Sequence, residues 1–161
     1  MLTWPRCQHR ILPNDELYGG PRSGSALPVI HVSSAIPTSA DEWRAILEGT
    51  ANVLIEGPAP WTEAIVGALV HQLQHPFVEW RRSPPRPAPS GPVVVPAVHG
   101  FDSAAQGELL QWMNSADRRC PLRLLTTSHV PLFPLVEDGR FLRNLYYRLN
   151  MILIREIDFL I

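Results

Sequence analysis

Several sets of residues have types and spacings that invite chemistry. The stretch NVLIEGPAPWTEAIVGALVH, residues 52–71, has the outline of a phosphate-binding strand, loop and helix. Such a loop needs glycines, so that successive N–H groups can turn toward phosphate oxygens, and a lysine to meet the terminal charge. Only Gly57 answers that description, and Pro58 and Pro60 each remove a backbone donor. The chain contains no lysine: all 14 basic residues are arginine, which excludes any mechanism that needs an amine side chain. His71 and His75 stand at i, i+4, the spacing of two zinc ligands on a helix. They have no companion Cys or carboxylate motif, and an ordinary helix face accounts for them. Ser128, His129 and Asp102 fall near predicted strand ends, but nothing in their spacing specifies a nucleophile with its base. Arg81, Arg82 and Arg86 cluster in a Pro-rich segment, where a solvated loop accounts for them better than a phosphate or acidic-partner site. The PPRPAP run within it suits a spacer better than a polyproline ligand.

The elements that must position these residues alternate. LPVIHVSS (27–34) is a short β-branched run that predicts a strand. TSADEWRAILEG (38–49) predicts a helix, with Ser39 and Glu42 as a capping box, Trp43, Ile46 and Leu47 on one face, and Gly49 as the stop. NVLIEG (52–57) predicts a buried strand, and 61–75 a helix with Ile65, Leu69 and Leu73 inward and Val66 and Val70 alongside. A short strand at 76–80 precedes the Pro-rich linker 81–92, and the strand at 93–98 follows it. Residues 102–115 predict a helix capped by Asp102 or Ser103, with Ala105, Leu109, Leu110 and Met113 inward. A strand at 122–128, a helix at 141–149 and a strand at 151–161 complete the pattern. Strands alternating with helices of this length predict an α/β doubly wound, mostly parallel sheet with helices on both faces. Ligands in such sheets sit at the carboxyl ends of the strands, so the loops after 56, 95 and 127 line any site. Residues 1–27, with scattered Pro and Gly, read as an irregular arm, and 28–161 as a single domain.

Composition narrows the function classes. A chain of 161 residues is long enough to bury roughly 70% of its unfolded surface without staples. A net charge of -1 with 45% hydrophobic residues gives no global attraction to nucleic acid or anionic membrane. Cys7 and Cys120 have the spacing of neither a disulfide framework nor a zinc site. No segment has the apolar length of a membrane span, and the N-terminus does not read as an export signal. The expected location is the cytoplasm.

Four stretches taken in order resemble one family, the AAA+ domain of bacterial sigma-54-dependent transcriptional activators. GRFLRNLYYRLN (139–150) is close to the family's Gly-x-Phe-Arg-x-Asp-Leu-Tyr-Tyr-Arg-Leu-Asn segment, and LRLLTTSHVPL (122–132) resembles its sensor strand. GPVVVPAVHGFDSAAQGELLQWM (91–113) is similar to the Walker B strand and following helix, and VLIEGPAPWTEAIVGALVH (53–71) to the Walker A strand, loop and helix. The resemblance spans about 51–155 and implies a P-loop NTPase-like fold, here lacking the family's helical lid.

Position by position, the same resemblance implies lost chemistry. The inner glycines fall on Pro60 and Thr62, the lysine on Glu63, and the residue after it on Ala64. A carboxylate about 4 Å from a phosphate is unfavourable by roughly 4 kcal/mol per unit charge at an effective dielectric near 20. The Walker B aspartate and glutamate fall on Pro96 and Ala97, neither of which can hold a metal or take a proton. His129 occupies the sensor position. Of two arginines that reach a neighbouring subunit's nucleotide, the first falls on Leu142, with Arg143 beside it, and the second is retained as Arg148. Phe141, Tyr146 and Tyr147 are assigned to the core and subunit edge. The family's Gly-Ala-Phe-Thr-Gly-Ala loop, which touches sigma-54, has no counterpart in the interval VEWRRSPPRPAPSG.

The expectation is therefore a non-catalytic AAA+ domain acting as a protein-interaction module in bacterial transcription regulation, with no ATP binding or hydrolysis, no cofactor and no metal. Its subunit interface would use Arg143, Arg148, Tyr146 and Tyr147, and its partner would be an intact AAA+ activator or a second copy. Direct DNA binding, membrane association and sigma-54 contact through the usual loop are not expected. The alternatives are a residual nucleotide-binding regulator, a decaying fragment without function, and a small-molecule sensor. A sensor would use the cleft between 57–63 and 96–100, where Glu63 with apolar Pro60, Trp61 and Pro96 favours a cationic or aromatic ligand.

Overall fold

The runs VLIE, VVV and LLTTS lack the apolar/polar alternation of a half-exposed strand and read instead as strands covered on both faces. The computed structural model describes residues 29–32, 44, 46–73, 76–81, 83–85, 91–115 and 123–156, and there those runs are buried along their whole length. The strands are β1 (Val29–Val32), β2 (Val53–Glu56), β3 (Val78–Glu79), β4 (Val93–Val95), β5 (Leu124–Ser128) and β6 (Ile152–Glu156). They form one six-stranded sheet in the order β1-β6-β2-β5-β4-β3, and every pairing is parallel. The register sets Leu54 beside Thr126 and Leu153, and Val94 beside Leu125.

Parallel neighbours need crossovers, and helices supply them on both faces. Alternate strand residues divide between two cores. Leu54, Val93, Val95, Leu124 and Leu153 pack with α2 (Ser103–Ser115), α3 (Leu132–Glu137) and α4 (Arg143–Leu149). Val53, Ile55, Val94, Leu125 and Ile154 pack with α1 (Ala59–Leu73) and with Ile46 from a helical turn at residues 46–48. The predicted doubly wound α/β fold is present, with the sheet wholly parallel where described.

Several expectations shift in detail. Helix α1 begins at Ala59, two residues before the predicted start, and buries Ile65, Leu69 and Leu73 as expected, together with Thr62. In α2, Asp102 is the cap: its Oδ1 accepts the Ala105 N–H at 2.8 Å. Gln106 and Trp112 are buried there beside Leu109, while Leu110 and Met113 lie partly covered and Ala105 is half-exposed. Helix α3 was not expected at all. Its end is built by Gly139 at φ +71°, where Arg140 N–H and Phe141 N–H return to the Leu135 carbonyl at 2.8 and 2.9 Å. The start of the predicted helix at 38–49, the arm 1–27, both cysteines and much of the linker 81–92 lie outside the described residues.

Buried polar groups lock the ends of the sheet. Asn52 donates to the Arg148 carbonyl at 2.8 Å and accepts the Leu124 N–H at 2.9 Å, tying α4 and β5 to the start of β2. Arg123 is 1% exposed and donates to the carbonyls of Ile46 and Leu47, placing a cation at the end of that helical turn. Burial pushes its guanidinium below the ordinary arginine value. Two described pieces before β2 are thus part of the scaffold: β1 extends the sheet and Ile46 enters its core.

At the opposite end, Glu56 is fully buried. Its Oε1 accepts the Leu132 N–H at 2.9 Å, and its Oε2 accepts both Arg155 Nε at 2.8 Å and Nη2 at 2.5 Å. Removing one partner of a buried ion pair leaves the other uncompensated. Glu56→Ala is expected to cost about 3 kcal/mol or more in urea unfolding; a loss below about 1 kcal/mol, the range of exposed pairs, would deny the pair this role.

Candidate functional site at the carboxyl ends of the strands

Three loops meet where β2, β4 and β5 end, as the alternation predicted. The first is short. Gly57 donates its N–H to the Ser128 carbonyl at 3.1 Å, and α1 starts two residues later. The N–H groups of Trp61 and Thr62 both donate to the Pro58 carbonyl at 3.0 Å, so they close the helix's own first turn. Thr62 Oγ1 donates to the Ala59 carbonyl at 3.0 Å. Gly57 gives room for the Trp61 ring: a Cβ there would stand 2.7 Å from its Cε3, so the ring would have to shift. Glu63 and Ala64 are exposed.

In the second loop Pro96 has no N–H, and Ala97 takes a left-handed conformation, φ 48° and ψ 45°. Its N–H donates to Thr127 Oγ1 at 2.9 Å, and its carbonyl accepts the Gly100 N–H at 3.0 Å, starting the 3-10 turn Val98–Gly100. In the third, the His129 N–H donates to His99 Nδ1 at 3.2 Å, with the two rings 5.0 Å apart. Burial, and secondarily the neighbouring His129, lowers the His99 pKa below its ordinary value. With Nδ1 accepting, the neutral ring carries its proton on Nε2.

Ser128, His129 and Asp102 are not assembled as a catalytic set. Ser128 Oγ donates to the Val130 carbonyl at 2.5 Å, and Asp102 caps α2. No cluster of three or more His, Cys, Asp or Glu suited to a metal occurs among the described residues; His71 is exposed, and His75 lies outside them.

Beside these loops lies a cleft of about 340 Å³. Glu63 and Val66 line it from α1, Phe77 and Glu79 from around β3, and Val94, Pro96, Thr127 and His129 from the ends of β4 and β5. Pro60 and Trp61, expected in this cleft, do not line it: the early start of α1 turns Trp61 onto Gly57 instead.

The residues assigned to a subunit edge separate by burial. Phe141 and Tyr146 are buried, whereas Tyr147, Arg143 and Arg148 are exposed. Phe133, Tyr146 and Tyr147 run as a row with successive ring centroids 5.9 and 5.4 Å apart. Burial foremost, and then the Glu56 charge, raises the Tyr146 pKa, and its hydroxyl accepts Asn150 Nδ2 at 2.8 Å. Leu142 and Met151, also exposed, lie in the same part of the chain.

The all-parallel sheet, with a tight strand–loop–helix on a central strand, matches solved structures at probability 1.00. The fold is shared with NtrX. NtrX from Brucella abortus, solved in complex with ATP and in complex with ADP, superposes in each case with a TM-score of 0.56 at 15% identity, over 75% of this chain and 36% of that one. NtrX solved in a further structure gives 0.53 at 16% identity, over 73% and 37%. The P-loop NTPase domain of a sigma-54 transport activator from E. coli is a weaker likeness, with a TM-score of 0.48 and 21% identity over 66% of this chain and 97% of that domain. The chain thus spans little more than a third of the NtrX chains it resembles. No protein-family model and no curated protein matches it. Among the described residues no helix is long and apolar enough to cross a membrane.

Two expectations follow. Gly57→Ala should cost about 1–3 kcal/mol by overpacking against Trp61, and most of that cost should vanish in a Trp61→Ala background; equal costs in both backgrounds, measured by urea unfolding, would dissociate the pair. Because the folded His99 pKa lies below 6.5, the unfolded chain binds a proton that the folded one does not between these values. Stability should therefore fall as pH drops through 6.5 toward the folded value, and His99→Gln should flatten that part of the profile; identical slopes for the two proteins would refute the assignment.

Proposed function

We propose that this chain is a non-catalytic, sigma-54-activator-like AAA+ domain that serves as a protein-interaction module in bacterial transcription regulation. The observation that carries this reading is the internal use of main-chain donors around the strand ends. Gly57, Trp61, Thr62, Ala97 and His129 direct their N–H groups to Ser128, Pro58, Thr127 and His99, and Pro58, Pro60 and Pro96 have none to offer. A phosphate would have to break these bonds while meeting Glu63, and no carboxylate stands at Pro96 or Ala97 to hold magnesium. NtrX, with the same fold, binds ATP and ADP; here the backbone that would do so is committed to its own loops.

The surface in turn favours a protein partner. The row of Phe133, Tyr146 and Tyr147, with exposed Arg143 and Arg148 on the same helix as the tyrosines, combines the aromatic and arginine content enriched at interfaces. The partner is an intact AAA+ activator or a second copy, presenting an acidic, apolar-centred face, and the module works in the cytoplasm.

Calorimetric titration with ATP and ADP, each with and without magnesium, tests the central claim. No heat up to millimolar nucleotide is the expected result, and micromolar, magnesium-dependent binding would overturn it.

A further inference from the structure

We propose that the cleft between α1 and the ends of β4 and β5 is a binding site for a small organic cation with a flat apolar body, such as an aryl amidinium or guanidinium. The inference goes beyond the interaction role. It rests on the shape and charge of the cleft, independently of the exposed aromatic row.

The volume of about 340 Å³ lies within the range of small-ligand sites, about 300 to 1,000 Å³. The apolar lining, Val66, Phe77, Val94 and Pro96, offers a surface for a flat hydrocarbon body. The carboxylates of Glu63 and Glu79 come from different elements, α1 and β3, and no arginine stands among the described lining residues. These two carboxylates favour a cation over an anion. Phe77, 47% exposed, can place its ring face toward a bound cation. An exposed Arg81, whose Nε lies 3.9 Å from Glu79, competes weakly for that carboxylate.

The polar groups at the inner end are already fixed. Thr127 Oγ1 accepts from Ala97, and the His129 N–H is bound to His99, so these two main-chain donors are already engaged within the chain. The same bonds hold Pro96 and the start of the 3-10 turn in place, so the inner end of the site is formed before a ligand arrives.

Calorimetry or ligand-observed NMR with benzamidine, neutral benzamide and benzoate, on the full chain, tests the proposal. Benzamidine should bind at least about tenfold more tightly than benzamide, and benzoate not detectably. Glu63→Gln and Glu79→Gln, both at exposed positions where folding is unaffected and verifiable by circular dichroism, should each reduce benzamidine affinity several-fold while leaving benzamide unchanged. Sedimentation at the same protein concentrations reports whether a second copy fills the cleft with its own arginine: benzamidine dissociating an oligomer would support the cation chemistry and name its source. Equal affinity for benzamidine and benzamide, or benzamidine binding unaltered in both Gln variants, would overturn the proposal. Absence of benzamidine binding with nucleotide binding also absent would remove this site alone, whereas nucleotide binding in this cleft would overturn both this inference and the loss of ATP chemistry.

Discussion

A carboxylate with no solvent exposure must be compensated where it stands, and the compensation of Glu56 arranges the end of the sheet around it. Its two oxygens fix two distant pieces of chain. Arg155 belongs to β6, the neighbour of β2, and its bonds to Oε2 tie the ends of the two strands together beyond the backbone ladder. Leu132 opens α3, and its N–H on Oε1 sets where the chain turns back after β5. That turn carries the Ser128–Val130 hydrogen bond and places the Ser128 carbonyl over Gly57. The loop after β2 is thereby held from the β5 side before its own residues contribute anything.

What the sequence made legible was local. The apolar runs of β2, β4 and β5, the i, i+4 face of α1 and the Asp102 cap of α2 follow from patterns within a few residues, and the structure carries each of them. Helix α3 was hidden because Pro134 interrupts a six-residue span that shows no period. The proline is tolerated because it falls in the first turn, where its missing N–H has no helical partner to lose. Gln106 was passed over as polar, yet it is buried. It donates to the carbonyls of Phe101 and Arg140 and accepts from Leu142 N–H, which fixes the approach to α4. Glu56 and Arg123 pair with residues 99 and 77 positions away, and no window along a single sequence contains both members of such a pair.

The candidate site was legible as a location and less so in its lining. The loops after β2, β4 and β5 meet as expected, because parallel sheets bring strand ends together. Glu63 and Pro96 line the cleft, but Trp61 does not. Pro58 supplies a carbonyl to two N–H groups at once, α1 begins early, and the indole swings onto Gly57. Glu79 and Phe77 were missed because one belongs to, and the other directly precedes, a two-residue strand whose register is decided only by β4.

A strand–loop–helix of this shape serves two ends in a nucleotide-binding relative: it presents donors to phosphate, and it joins the central strand to the helix that covers one face of the sheet. The second end does not depend on the first, provided that main-chain donors near the buried strand ends find partners within the chain, because unpaired N–H groups there are costly. In this chain several such partners are visible. Prolines delete two donors in the first loop and one in the second, the Pro58 carbonyl absorbs two more, and Ser128, Thr127 and His99 take the rest of those named. Gly57 lets the Trp61 ring lie against the backbone. The strand–loop–helix is therefore held in outline by contacts within the chain, while Glu63, one turn into α1, faces the adjacent cleft with Glu79.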